Sequence, residues 1–269
     1  MKRLLIPATD LKTSVDSRNL TVLDARPRES YDQDHIPGSV HLHPGRMEET
    51  VTLRSGATVP HMLVSPDRAG TVLRAAGVSG RDTIVVYDEG AEYSAARLWW
   101  VLTYLGHPDT LVLDGGLAAW RSAGGAVDRE AVAPSPGDFV PEPDDSQIAD
   151  FHDVLLGIGR QDVSLVNTLD EESFEAGAIP GSVNLPYQST FDAATKRLLS
   201  ETALFDRFDE LDVEGALILY CGIGYTASQG VLASRVAGFR RVKLYDGSLK
   251  DWSARGGALT PRGLEIDSE

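Results

Sequence analysis

The chain has 269 residues, a formal net charge of −15 at pH 7, 42% hydrophobic and 24% charged residues. This is the composition of a soluble globular protein with room for two domains, each able to bury its own core. The acidic balance excludes nucleic acid and anionic membrane as partners, since both need a basic footprint.

From the amino terminus, Lys2-Arg3-Leu4-Leu5-Ile6 is cut short by Pro7 and Asp10, too soon for a secretory segment. No stretch approaches the run of about 20 apolar residues that spans a bilayer. Thr21-Val22-Leu23-Asp24, Thr83-Ile84-Val85-Val86-Tyr87 and Thr110-Leu111-Val112-Leu113 predict strands, and residues 94–102 predict a helix. Apolar strands with helices between them indicate a mainly parallel sheet covered on both faces. Residues 131–146, broken by Pro134, Pro136, Pro141 and Pro143, sustain neither a helix nor a central strand. They predict a semi-extended linker between a first domain over residues 1–130 and a second over 147–269.

The second domain repeats the first. Ile36-Pro37-Gly38-Ser39-Val40 recurs as Ile179-Pro180-Gly181-Ser182-Val183, 143 positions on. Ile84-Val85-Val86-Tyr87-Asp88 matches Leu217-Ile218-Leu219-Tyr220-Cys221 at an offset of 133, and Asp114-Gly115-Gly116-Leu117 with Trp120 matches Asp246-Gly247-Ser248-Leu249 with Trp252 at 132. Three segments in one order mean a duplicated domain. The drop in offset places an insertion in the first copy, between residues 47 and 64.

Cys221 is the single cysteine. It has no partner for an intramolecular disulfide, and a free thiol agrees with a reducing, cytoplasmic compartment. It follows a predicted buried strand and precedes Gly222-Ile223-Gly224-Tyr225-Thr226 and the Val231, Leu232, Val236 pattern of a helix. In such a turn backbone N–H groups and the helix dipole favour negative charge. The alternative is a small buried hydrophobe, but a packing cysteine would not need two flanking glycines, which cost backbone entropy. Cys221 is therefore the candidate nucleophile.

Leu23-Asp24-Ala25-Arg26, His35-Ile36-Pro37-Gly38-Ser39, Val86-Tyr87-Asp88, Ala95-Ala96-Arg97-Leu98-Trp99-Trp100, Leu113-Asp114-Gly115-Gly116-Leu117-Ala118-Ala119-Trp120 and Tyr220-Cys221-Gly222-Ile223-Gly224-Tyr225-Thr226-Ala227 together resemble the tandem-domain rhodanese family of sulfurtransferases. The resemblance implies an α/β fold of two rhodanese-like domains, each a mainly parallel central sheet flanked by helices. It also implies an inert first domain, with Asp88 in the cysteine's place. It further implies a ping-pong cycle in which the Cys221 thiolate takes sulfur from a small donor, thiosulfate or 3-mercaptopyruvate, as a persulfide and passes it to a thiol or cyanide acceptor. A thiol protein such as thioredoxin is a further acceptor, and neither cofactor nor metal is expected. Gly222, Ile223, Gly224, Tyr225 and Thr226 would bind the sulfur through backbone N–H groups. Thr226 adds a hydroxyl or simply caps the helix, and His35 contributes at the domain interface or is structural.

Two departures bear on the donor. The loop has no basic side chain, unlike the thiosulfate-using branch, and Ile223 stands where the mercaptopyruvate branch commonly has serine. The segment in which that branch holds the donor carboxylate with arginines has Leu169 and Ser173 among three acids, and neither replaces a bidentate arginine. A metal cluster of His41, His43 and His61 lacks ligand spacing, and Trp99, Trp100, Trp120 and Trp252 are expected in the core. Asp24 and Arg26 are expected as a structural ion pair or cap. A cysteine phosphatase would need arginine where Ala227 stands. The remaining alternative is a non-enzymatic persulfide carrier or regulatory module, whose acidic Asp170-Glu171-Glu172 edge would face a basic partner; otherwise that edge is a solvated helix start.

Overall fold

The computed structural model describes residues 3–15, 17, 19–213 and 215–264. The first copy runs β1 (Leu5–Ile6), α1 (Ala8–Ser14), β2 (Leu20–Asp24), α2 (Arg28–Gln33) and β3 (Val40–His41). A hairpin, β4 (Glu48–Thr52) and β5 (Thr58–Leu63), follows at the expected insertion. The copy ends with α3 (Pro66–Ala75), β6 (Thr83–Tyr87), α4 (Ser94–Tyr104), β7 (Thr110–Leu113) and α5 (Gly116–Ser122). The second copy comprises β8 (Ile148–Ala149), α6 (Phe151–Gly157), β9 (Val163–Asn167), α7 (Glu171–Ala176), β10 (Ser182–Asn184) and α8 (Glu201–Asp209). It closes with β11 (Ala216–Tyr220), α9 (Tyr225–Val236), β12 (Val242–Tyr245) and α10 (Ser248–Ala254).

Each copy builds a parallel five-stranded sheet. The order is β1-β7-β6-β2-β3 in one and β8-β12-β11-β9-β10 in the other, so the repeat in sequence is a repeat in topology. The expected α/β class, a mainly parallel central sheet flanked by helices in each copy, is the one observed. β6 and β11 are central, buried at every residue but the first, as their unbroken apolar runs require.

The motifs that made the repeat legible hold the strand ends. The Tyr87 hydroxyl meets the Ser39 hydroxyl at 3.0 Å and accepts the Ile36 N–H at 3.2 Å. Tyr220 does the same with Ser182 at 2.7 Å and Ile179 at 3.0 Å. Each Ile-Pro-Gly-Ser turn is thus tied to the central strand by a tyrosine whose burial would otherwise leave a polar group unpaired. Trp120 and Trp252 are buried, and their indole N–H groups donate to Ala126 and Ala258 carbonyls at 2.7 Å. A side chain at Gly125 or Gly257 would overlap those rings. Trp99 and Trp100 are fully buried as well.

By contact the chain divides into two compact units. The first comprises Met1–Met47, Val64–Asp144 and Phe191–Leu198, the second Glu48–Leu63, Asp145–Thr190 and Leu199–Glu269. The hairpin inserted in the first copy therefore belongs to the second unit. Residues 131–144 have no helix or strand, yet they are not a free connector. Gly137, Glu142 and Asp144 donate backbone bonds of 2.8 Å to Arg74, Leu105 and Tyr104, and Phe139 is buried. The prolines forbid regular structure, and this extended segment satisfies its backbone on the ends of α3 and α4 instead. No helix among the described residues is long and apolar enough to cross a membrane.

Candidate active site

β11 stops at Tyr220, and Cys221 stands just past its carboxyl end, the side of a parallel sheet where ligands bind. Gly224 then takes a left-handed conformation, φ 88°, as the N-cap of α9, which a residue with a Cβ adopts only with strain. This fold brings the Gly224 N–H to the Cys221 sulfur at 3.1 Å. The carbonyls of Cys221 and Gly222 point the other way and accept from Leu249 and Lys250, at 3.0 and 3.2 Å, in the first turn of α10. The N–H groups of Tyr225 and Thr226 open α9 and have no intrahelical acceptor. Cys221 is 1% exposed, while Gly222, Ile223, Tyr225 and Thr226 are half-buried around it. The sulfur lies at the base of a turn whose rim reaches solvent.

Three further groups complete the surroundings. The Ser248 hydroxyl accepts the Cys221 N–H at 3.0 Å, donates to the Tyr245 carbonyl at 2.9 Å and lies 3.9 Å from the sulfur. Ser248 has φ 50°, a conformation uncommon outside glycine. Thr168, fully buried at the end of β9, meets the Thr226 hydroxyl at 3.0 Å. Thr226 is therefore not the helix cap, a place held by the Gly224 backbone. From the hairpin, the His61 ring stands edge-on to Tyr225 at 6.5 Å, and its Nδ1 meets the Glu48 carboxylate at 2.8 Å. Leu63 donates to the Asp246 carboxylate at 2.9 Å, which anchors the hairpin just ahead of Ser248.

In the sequence His61 was weighed only within a metal cluster whose spacing ruled it out, and Ser248, Thr168 and Glu48 were passed over as site residues. Ser248 had left a signal, because it replaces Gly116 in an otherwise matched motif of the repeat. His61 had none, since its place beside Tyr225 depends on which unit the hairpin joins. His35 is fully buried in the first unit, stacked on Tyr31 at 3.8 Å, with Nδ1 2.8 Å from the Tyr31 carbonyl and Nε2 3.1 Å from Asp128. Asp24 and Arg26 form the expected buried ion pair, with three side-chain N–H bonds between 2.7 and 3.1 Å. Asp170 caps α7 through the Ser173 N–H at 2.9 Å, a bond that holds its carboxyl below the ordinary carboxylate range. Burial pushes the Tyr220 hydroxyl up. Among the described residues no group of three His, Cys, Asp or Glu side chains is placed to hold a metal.

The family described as Rhodanese-like domain matches residues 7–123 and 150–255. The chain is 32% identical over 270 residues to the "Probable 3-mercaptopyruvate sulfurtransferase" of Pseudomonas aeruginosa, covering 92% of this chain and 94% of that one. It is 26% identical to the "Thiosulfate/3-mercaptopyruvate sulfurtransferase 1, mitochondrial" of Arabidopsis thaliana, over 91% and 74% of the two chains. Among solved structures, SseA from Escherichia coli superposes with a TM-score of 0.84 at 27% identity, covering 92% of this chain and 99% of that one.

Proposed function

The chain belongs to the rhodanese-like family and is a sulfurtransferase, and we propose that Cys221 carries the transferred sulfur as a persulfide. The observation that supports this reading best is the Gly224 N–H aimed at the Cys221 sulfur at 3.1 Å, at the amino-terminal end of α9. Preorganised N–H groups stabilise an anionic sulfur without reorganisation cost during reaction.

The donor proposed is 3-mercaptopyruvate, the one in the name of the Pseudomonas aeruginosa relative. Gly222, Ile223 and Gly224 offer no cation to a thiosulfate dianion. The Cys221 thiolate attacks the donor sulfur, the S–S bond forms, the donor C–S bond breaks and its electron pair leaves as the enolate of pyruvate. The proton that began on the donor thiol then moves to that carbon. His61, oriented by Glu48 and adjacent to Tyr225, is the imidazole available to relay it. An acceptor thiolate next attacks the outer sulfur, the S–S bond breaks and the Cys221 thiolate returns. A small thiol, cyanide or a thiol protein such as thioredoxin serves in that step, and a reducing cytoplasm keeps Cys221 free.

The test is intact-mass spectrometry of the protein mixed separately with 3-mercaptopyruvate, thiosulfate and glutathione persulfide. A gain of one sulfur atom at Cys221, discharged by added thiol, is expected first with 3-mercaptopyruvate. Turnover without a Cys221 adduct overturns the persulfide reading, and faster loading from thiosulfate overturns the choice of donor.

A further inference from the structure

The second unit has a cavity of about 490 Å³ at the amino-terminal ends of β9, β11 and β12, the end of the sheet opposite Cys221. Its floor is hydrocarbon: Val163, Ala216 and Ile218 lie on one face of neighbouring strands, with Leu156 beside them. In parallel pairing Ile218 is opposite Lys243, and Arg241, two residues earlier, shares that face. Arg160 and Arg240 complete the basic lining, so four cations and one carboxylate, Asp153, line the cavity, with Asp162 beside Arg160 and Arg241, in a chain whose net charge is −15. Lys243 pairs with Asp153 at 3.1 Å and Arg160 with Asp162 at 2.7 Å. Arg240 and Arg241 enter no ion pair among the described residues.

The internal repeat isolates this feature. At the fixed offset of 132, Arg240, Arg241 and Lys243 correspond to Pro108, Asp109 and Leu111 in the first copy. On the covering helix, Leu155 and Leu156 of α6 correspond to Lys12 and Thr13 of α1. The second copy has thus exchanged polar residues for leucine on the helix, and apolar or acidic residues for cations on the strand. Leu155 is 47% and Leu156 70% exposed, so neither is needed by the core. The shared scaffold needs none of these substitutions, since the first copy folds with the opposite set.

We infer that this cavity binds a small organic anion with an apolar body, a carboxylate gripped by Arg240 and Arg241 while its hydrocarbon lies on Ile218, Ala216 and Leu156. The volume lies within the range of small-molecule sites, and guanidinium forks match carboxylate oxygens bidentately. Bound so, the ligand carboxylate meets the two guanidiniums that enter no ion pair among the described residues, and its hydrocarbon covers Leu156, which otherwise faces water.

Calorimetric titration of the full chain with octanoate, 1-octanol and inorganic phosphate tests this. Octanoate binds saturably at one site, 1-octanol at least tenfold more weakly, and phosphate does not displace octanoate. The double variant Arg240→Ala, Arg241→Ala weakens octanoate at least tenfold and Leu156→Glu abolishes binding, with sulfur transfer unchanged in both. Arg241→Gln, polar and similar in length, guards against a folding defect and still weakens binding. Absence of saturable binding up to the solubility limit overturns the inference. So does an affinity indifferent to the arginines, or competition by phosphate alone.

Discussion

At the carboxyl end of β6 the buried Asp88 carboxylate accepts N–H bonds from Gly90 and Ala95, both 3.0 Å. At the matching end of β11 the Cys221 sulfur accepts one from Gly224. Five residues separate Asp88 from α4, but three separate Cys221 from α9. The longer turn folds down on itself: a side chain at Gly116 would overlap the Asp88 carbonyl and the Gly90 nitrogen, where Ser248 fits in the second copy. It also gathers carboxylates, and burial together with the charges of Asp88 and Glu89 pushes Glu92 up to about 6. One turn spends two amides on its own acid, while the other aims the Gly224 amide at the cysteine sulfur. The same strand-turn-helix frame presents a capped acid in one copy and a thiol in the other, and loop length and one side chain decide how its amides are used.

The largest effect expected comes from removing the sulfur. Cys221→Ser should reduce sulfur transfer to the background rate and abolish the mass adduct, with an unchanged melting curve; residual transfer above background would mean another group carries the sulfur. In the reverse direction, Asp88→Cys frees the Gly90 and Ala95 amides but keeps the five-residue turn with Glu89 and Glu92, and should acquire no persulfide because those neighbouring carboxylates disfavour a second anion; an adduct there would show that the turn and its acids do not prevent loading. Asp88→Ala leaves the Gly90 and Ala95 amides without their acceptor. It should lower unfolding free energy by about 1–3 kcal/mol, read from denaturant titration.

A reciprocal exchange sharpens the comparison. Ser248→Gly relieves a positive φ but removes the acceptor of the Cys221 N–H, and should slow sulfur loading about tenfold, the scale of one hydrogen bond. Gly116→Ser should leave loading alone and destabilise the first unit by about 1–3 kcal/mol through overpacking. If both variants behaved alike, the two turns would not be distinguished by that position. Leu169→Arg, which supplies the guanidinium missing beside α7, should lower the apparent KM for 3-mercaptopyruvate by a few-fold with kcat unchanged. An unaltered KM would place the donor carboxylate elsewhere.

The smallest effect is in pH. Burial, opposed by the two amides, raises the Asp88 carboxyl above its ordinary value. The folded state therefore holds the proton more tightly than the unfolded one. Asp88 contributes most below the ordinary carboxylate range, and that contribution is lost as pH rises through it toward the raised folded value. The stability difference between the parent protein and Asp88→Ala should shrink with rising pH across that window; a difference that grew would reverse the assignment.

The sequence by itself determined the duplicated α/β topology, the central strands and the position of Cys221. Each of these rests on local signals: apolar runs, glycines where the chain must turn, and the tyrosine contacts that make the Ile-Pro-Gly-Ser motif recur. Tertiary structure alone decided that the inserted hairpin joins the second unit, with His61 and Glu48 near the α9 turn. It also decided that residues 131–144 strap the first unit and that Ser248 receives the Cys221 amide. Those contacts join residues far apart in the chain, and no periodicity records which distant surface a segment will satisfy its backbone against.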